Sequence, residues 1–382
     1  MTRMHFVWGG AALVALSLLG FGGWMLSLPA PASSASAEPV PRQETEAMLA
    51  ALKPERERPL IAIIGLNNAT ETTDYLVPTG LLRRADIADV VMLATEEGPV
   101  RLFPALQVEP DATTARFDAE HPEGADYVIV PAMSRDDDPA VMAWLRQQAD
   151  KGAKIIGICA GAKVVAAAGL LDGRRATTHW YYISTLLERN PTIEYVPNRR
   201  MVSDGNVTTT TGISASMPMM LTLIEAIAGR DRAEAVARDL GVSGWNANHA
   251  SKAFRITRPF ASTVLLNRLA FWNREEFGVR LEPGMDEMSL ALVADAWSRT
   301  YRSRASSFSE SPVVETMNGL RIVADRQQAD WRDDLEVSTF PRQPPTVALD
   351  QTLAAIADRY GKRTAGVVTT QLEYPRPAAA TR

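Results

Sequence analysis

The segment AKIIGICAGAKVVAAAGLL (residues 153–171) constrains the fold more than any other part of the chain. A short apolar run of strand type passes directly into a helix of small residues, and Cys159, the only cysteine in the sequence, lies at the junction. Other strand-type runs and helix-type stretches alternate around it, the strands at 58–66, 89–93 and 125–132 and the helices from Thr72 and over 138–152. Strands alternating with helices predict parallel βαβ units and a layered α/β fold.

Cys159 is expected at the carboxyl end of its strand, where functional groups gather in open α/β sheets. Unpaired N–H groups at the start of the following helix can stabilise a thiolate, which predicts a pKa for Cys159 below the free value of about 8.5. Gly157, Ala160 and Gly161 keep the turn free of bulky side chains, as a nucleophile elbow requires. The alternative is a core residue, since free cysteine is among the most buried residue types.

Several motifs together carry a family resemblance: DYVIVP, KIIGICAGA, GLLDGRRATTHW and VSDGNVTTTTGISASMPMMLTLIEAIAG. Over about residues 59–230 they resemble the PfpI/ThiJ family of class I glutamine-amidotransferase-like proteins, with similarity to the amidase-like domain of AraC-type regulators and to isonitrile hydratases. The resemblance implies a three-layer, flavodoxin-like sandwich with a mostly parallel sheet. It also implies a reactive thiol at Cys159, faced by Asp74, with His179 nearby as a general acid or base or as a structural hydrogen-bonding residue.

The sequence departs from the family pattern at two places. Ala132 and Met133 stand where family members commonly carry two glycines after the fourth strand, so the oxyanion hole expected from backbone N–H groups near Ala160 and Met133 is predicted to be distorted. Ala160 also stands where hydratase-like members often have threonine after the cysteine. This second change weakens the implication of hydratase activity.

The N-terminus predicts export. Residues 6–28 run for 23 positions without a charge, after Arg3, which is long enough for a membrane-spanning helix with the folded part outside the cytoplasm. The alternative is a secreted protein cleaved near Ala37, after the small-residue motif ASA. The Pro-, Ala- and Ser-rich stretch places a flexible linker over residues 31–58 after an anchor at 1–30.

The C-terminal part predicts a helical connecting segment (231–280) and then a degenerate, partial repeat of the same fold without a nucleophile (281–376), before a short tail (377–382). In the repeat alignment Gly157 pairs with Gly366 and Cys159 with Val368. The repeat would pack on the first copy as a built-in dimer interface, or the protein forms a homodimer; chance α/β similarity is the alternative.

The connecting segment is rich in aromatic residues with interspersed arginines. We expect the aromatic residues to be buried against the core; a ligand groove is the alternative. They are Trp245, Phe254, Phe260, Phe271 and Trp272.

Composition excludes several function classes. A net charge of −5 provides no basic field for nucleic acid, the four histidines lack ligand spacing for a metal, and no phosphate or dinucleotide loop indicates a cofactor. Two functions remain. One is an exported cysteine hydrolase or hydratase that uses Cys159, Asp74 and His179 on a small electrophilic substrate; the other is a non-catalytic sensor of a ligand or of oxidation.

Overall fold

The computed structural model describes residues 16–17, 19–30 and 37–374. The α-helices after the helical residues 19–27 are α1 (Arg42–Leu52), α2 (Thr72–Ala85), α3 (Thr114–Glu120), α4 (Pro139–Asp150), α5 (Gly161–Ala167), α6 (Ile183–Arg189), α7 (Ser216–Ala228), α8 (Arg230–Leu240), α9 (Arg258–Leu269), α10 (Glu287–Ser298), α11 (Pro345–Tyr360) and α12 (Lys362–Gln371).

The strands form three larger sheets and one two-stranded sheet. They are β1 (Leu60–Gly65), β2 (Asn68–Glu71), β3 (Asp89–Ala94), β4 (Val100–Phe103), β5 (Gln107–Glu109), β6 (Ala112–Thr113), β7 (Tyr127–Val130), β8 (Lys154–Gly157), β9 (Arg175–Ala176), β10 (Glu194–Tyr195), β11 (Met201–Asp204), β12 (Val207–Thr210), β13 (Glu275–Arg280), β14 (Ser303–Ser309), β15 (Val313–Glu315), β16 (Arg321–Val323), β17 (Arg326–Gln327) and β18 (Glu336–Val337).

The central sheet has seven strands in the order β11-β12-β8-β7-β1-β3-β6. All neighbours are parallel except β11, which runs antiparallel to β12. Alternate residues of β1 face opposite cores: Ile61 and Ile63 pack with α2 and α7, while Ala62 and Ile64 pack with α4 and α5. Helices therefore cover both faces, which confirms the predicted α/β sandwich with a mostly parallel sheet.

A second, four-stranded parallel sheet has the order β17-β14-β13-β18. This order matches β6-β3-β1-β7 of the central sheet strand for strand, with α10 in the place of α2. A five-stranded sheet joins the two halves, because β16 pairs antiparallel with β5 and Ile322 lies opposite Val108. Helix α10 also packs on α2, where Gly80 leaves room for the side chain of Glu287. An internal repeat would produce this shared strand order, and the repeat itself stays a prediction.

Three sequence expectations need correction. The linker assigned to 31–58 contains α1, whose Met48 and Leu52 are buried in the core. The connecting segment assigned to 231–280 ends in β13. Residues 362–371, aligned with the cysteine strand β8, form α12 instead, because Gly361, at φ +86°, ends α11 and allows a new helix to begin directly.

The prediction of a membrane span over residues 6–28 falls partly outside the described residues, which in this segment are 16–17 and 19–28. Within the part of the chain that the structure describes, no helix has the length and apolar character that crossing a bilayer requires.

Candidate active site

The turn between β8 and α5 has the geometry of an elbow. Cys159 has a φ of +56°, in the left-handed region that most side chains avoid. Its N–H donates to Thr210 Oγ1 (3.1 Å), and its carbonyl accepts from Thr178 Oγ1 (3.0 Å). A Cβ at Gly161 would overlap the carbonyl oxygen of Val130, so only glycine fits there. These contacts hold the strained cysteine at the carboxyl edge of the sheet.

Asp74 lies in the first turn of α2 and faces Cys159. The Cys159 thiol and the Asp74 carboxyl are close enough for each to shift the pKa of the other. Asp74 Oδ2 accepts from the N–H of Ala132 at 3.2 Å, whereas Oδ1 has no hydrogen-bond partner among the described residues. The juxtaposition implied by the family resemblance is therefore present, and one carboxylate oxygen remains for the thiol.

A buried ion cluster that the sequence did not reveal supports Asp74. Glu71 caps α2 by accepting from the N–H of Asp74 at 2.6 Å. Arg299, which directly follows α10, binds Glu71 at 2.6 Å and Asp295 at 2.6 Å. Glu71 is visible in the sequence as an acid before a helix, and Asp295 and Arg299 as an i,i+4 pair. Their meeting across 228 residues leaves no signal in one sequence.

Burial and like charges set the protonation states at this site. Desolvation raises the pKa of Asp74 to about 7, although the Ala132 N–H and Arg299 oppose the change. Burial, with Asp74 and then Asp295, raises the pKa of Glu71 well above its ordinary value. Burial, followed by the charges of Asp74 and Glu71, also raises the pKa of Cys159 well above its ordinary value. The expectation of a lowered pKa for Cys159 is therefore wrong, because burial and acidic neighbours outweigh the helix N–H groups.

Both ring nitrogens of His179 are engaged by backbone groups. Its Nδ1 accepts from the N–H of Tyr181 at 3.2 Å, which leaves the proton on Nε2 to bond the carbonyl of Gln371 at 2.9 Å. Burial lowers the pKa of His179. Gly212 is required beside this ring, because a Cβ there would overlap both His179 and the Glu373 carboxylate. The geometry fits the structural alternative for His179 better than the acid–base one.

Backbone N–H groups complete the site. The N–H of Ala160 lies beside the Cys159 sulfur and opposes the rise in the pKa of the thiol, so it can stabilise charge that develops there. The second N–H expected at this position, that of Met133, lies in a segment whose backbone bridges to Thr70. The neighbouring N–H of Ala132 donates to the Asp74 carboxyl. The loop with Ala132 and Met133, where family members commonly carry two glycines, therefore orients that carboxyl.

A cavity of about 830 Å³ opens onto Cys159. Aromatic and aliphatic side chains form most of its wall, and the charged residues of the lining are Glu71, Lys163, Arg268 and Arg299. The wall includes Phe103, Trp180, Tyr181, Phe260 and Leu265. An apolar entrance that leads to a thiol and a carboxyl can hold a small organic electrophile.

Alkylation of Cys159 by iodoacetamide is expected to be slower at pH 7 than that of a free cysteine and to increase as the pH rises above about 8.5. The raised pKa of the thiol leaves little thiolate at neutral pH. Rates measured between pH 6 and 10 by mass spectrometry, with a cysteine peptide as control, give the profile. An apparent pKa below that of the peptide would show that the N–H groups dominate.

The Asp74→Asn variant is expected to gain stability over the wild type as the pH rises. The pKa of Asp74 is about 7 against an ordinary value of 3.8. Because the folded-state pKa is raised, its stabilising contribution is complete below pH 3.8 and is lost as the pH rises through about 7. Asparagine keeps the acceptor for Ala132 without ionising, so we expect a gain of roughly 2–4 kcal/mol at pH 8 relative to pH 4. Urea unfolding at several pH values measures it, and a pH-independent difference would contradict the assignment.

Residues 61–226 match the model of the DJ-1/PfpI family. Among solved structures, Drosophila melanogaster DJ-1beta aligns with 49% of this chain and all of its own, at 25% identity and a TM-score of 0.44. Two curated relatives are similar in sequence. An isonitrile hydratase of Pseudomonas putida is 39% identical over 105 residues, which is 27% of this chain and 44% of that protein. The transcriptional regulator CdhR of Pseudomonas aeruginosa is 35% identical over 143 residues, 37% of this chain and 41% of that protein.

The match thus spans less than half the length of either curated relative. The region matched by the family model contains the elbow and its acidic partner, since residues 61–226 include α2, β8 and α5. Cys159 and Asp74, placed together by the fold, lie at the positions that the earlier resemblance implied. Residues 61–226 therefore form a domain of the DJ-1/PfpI family.

Proposed function

We propose that this domain is a cysteine-dependent hydrolase or hydratase that acts on a small, neutral electrophile. One observation carries the proposal: the Cys159 thiol and the Asp74 carboxyl, one oxygen of which has no hydrogen-bond partner among the described residues, lie close enough to shift each other's pKa, and a cavity of about 830 Å³ opens onto the cysteine. The likeness to an isonitrile hydratase supports this class of reaction.

The chemistry follows from the two side chains. As Sγ bonds to the electrophilic carbon, the thiol proton passes to the Asp74 carboxylate, whose pKa of about 7 suits a base at neutral pH. The Ala160 N–H stabilises negative charge that develops nearby. For an isonitrile, R–N≡C, Asp74 returns that proton to the same carbon, and the net addition of the thiol gives a thioimidate, R–N=CH–S–Cys159. Water then adds to that carbon, the C–S bond breaks, the thiol recovers its proton, and the product is the formamide R–NH–CHO.

The charge distribution narrows the substrate class. The buried carboxyls of Asp74 and Glu71 lie near the thiol, and Arg299 is already occupied by two carboxylates. The two carboxyls disfavour negative charge on the reacting carbon itself, whereas the cations Lys163 and Arg268 also line the cavity wall. Neutral substrates with an apolar group for the aromatic wall fit best.

The test is a screen of neutral isonitriles, nitriles, amides and esters with the purified chain, each class in an alkyl and an aryl form. We expect turnover of at least one class, together with a mass increase at Cys159 when the reaction is quenched early. A carboxylate-bearing analogue of the best substrate is the matched control and should react more slowly. No turnover and no adduct across the panel would overturn the proposal.

A ligand sensor is the second candidate, because the raised pKa of Cys159 makes its resting thiol a poor nucleophile. It is supported by the likeness to a transcriptional regulator. Two results together would support the sensor. Panel compounds would bind saturably, raising the melting temperature of both the wild type and Cys159→Ala, and none of them would be turned over.

We further propose that the protein is exported and held at a membrane by residues 6–28, with the folded part outside the cytoplasm. The charge-free run after Arg3 supports this placement. The alternative is release after cleavage near Ala37. The intact mass of the protein purified from its own membrane fraction separates the two outcomes.

A further inference from the structure

Helix α9 and the turn that follows it expose an unusual amount of apolar surface. The exposed fractions are 62% for Leu266, 55% for Leu269, 65% for Phe271 and 70% for Trp272. The aromatic residues at 271 and 272 were expected in the core, and that expectation is wrong.

The inward side of α9 is polar instead. Asn267 is buried and donates to the carbonyl of Thr300 (2.9 Å) and to Thr364 Oγ1 (3.1 Å). These hydrogen bonds fix the rotation of the helix, so the apolar side chains face away from the protein. Exposed patches of this kind mark interaction surfaces.

The same region is strongly basic in an acidic protein. Residues 240–274 contain five cations and no acidic residue, whereas the whole chain has a net charge of −5. No carboxylate in the described residues forms an ion pair with any of the five, which are Lys252, Arg255, Arg258, Arg268 and Arg274. An apolar strip flanked by unpaired cations is complementary to an anionic, amphipathic surface.

The end of the apolar N-terminal segment is attached to the same helix. Arg258 donates through Nε to the carbonyl of Leu28 (2.8 Å) and through its backbone N–H to that of Pro29 (3.3 Å). Arg255 donates to the carbonyl of Ala30 (3.1 Å). Any bilayer that holds residues 6–28 would therefore lie next to α9.

We propose that α9 and the turn Phe271–Asn273 form a surface that lies flat on an anionic lipid bilayer. Trp272 and Phe271 would sit at the boundary of headgroups and acyl chains, with the cations at the phosphates. The inference rests on the proposed membrane placement and is independent of the chemistry at Cys159. Because Phe260 and Leu265 of α9 line the cavity, its apolar wall would adjoin the lipid surface.

The test places a polarity-sensitive dye on Trp272→Cys in the full chain with Cys159→Ser. The control carries the dye on Arg146→Cys, an exposed position of α4 on the opposite face of the central sheet. Vesicles of phosphatidylcholine with and without phosphatidylglycerol are compared. With the anionic vesicles, we expect a blue shift and quenching by brominated lipid at 272 but not at 146, reduced by adding Lys252→Gln and Arg274→Gln.

Flotation of the full chain with the same vesicles separates two failures. A chain that does not float overturns the membrane placement and this surface with it. A chain that floats while the dye at 272 remains as water-exposed as the control overturns the docking surface alone. A blue shift that occurs without lipid and grows with protein concentration would assign the surface to a second copy of the chain and also overturn the proposal.

Discussion

Replacing Cys159 with alanine is expected to reduce turnover of the best panel substrate by on the order of 10³-fold or more. The thiol is the group that forms the covalent bond in the proposed reaction, and without it the site retains only binding and the N–H of Ala160. The adduct should disappear as well. Steady-state kinetics and quenched-reaction mass spectrometry measure the two effects.

The stability of Cys159→Ala separates catalysis from core filling. Cys159 is 4% exposed, so truncation leaves a small void, and we expect a loss of only about 1 kcal/mol. Cys159→Ser is the matched control of similar size and should fold like the wild type while remaining inactive. Full turnover in either variant would contradict nucleophilic catalysis, whereas failure of both to fold would assign Cys159 to the core.

The elbow could be predicted because its determinants are local. A buried strand, a small-residue turn and the start of a helix are adjacent in sequence, and Gly161 is required by a carbonyl only one strand away. The position of Asp74 followed from the family resemblance. The direction of the Cys159 pKa change could not be predicted, because the burial and the carboxyls of Glu71 and Asp74 arise from tertiary packing.

Two misassignments have the same kind of origin. The β-branched run from Thr364 to Thr370 has strand-like composition, yet it lies in α12, which packs against α11 and α9. Composition is a weak guide where tertiary contacts decide. Phe271 and Trp272 look like core residues for the same reason, since a sequence does not show whether an aromatic residue contacts its own core or an external partner.

The second half of the chain contributes Arg299 to the ion cluster beside the site. This residue follows α10, which packs on α2, and it is the cation between Glu71 and Asp295. The second half of the chain therefore has a specific role: it supplies the charge that allows acidic groups to be buried beside the thiol.

Arg299→Met is therefore expected to destabilise the protein by about 3–5 kcal/mol at pH 7.5, because it leaves buried carboxylates without a cation. Asp295 is fully buried, and Glu71 is 7% exposed. The loss should shrink at pH 5, since burial raises the pKa of Glu71 and its protonation removes part of the unpaired charge. Urea unfolding at both pH values measures the difference.

Arg304→Met provides the control for the same substitution at an exposed ion pair. The side chain of Arg304 is 63% exposed and binds Glu276 at 2.8 Å, so we expect a loss of no more than about 1 kcal/mol. Adding Glu71→Gln to Arg299→Met should recover part of the stability, because it removes one of the unpaired charges. Equal losses for Arg299→Met and Arg304→Met would show that the ion cluster does not stabilise the junction between the two halves, and Asp74 would then be positioned by α2 and Ala132 alone.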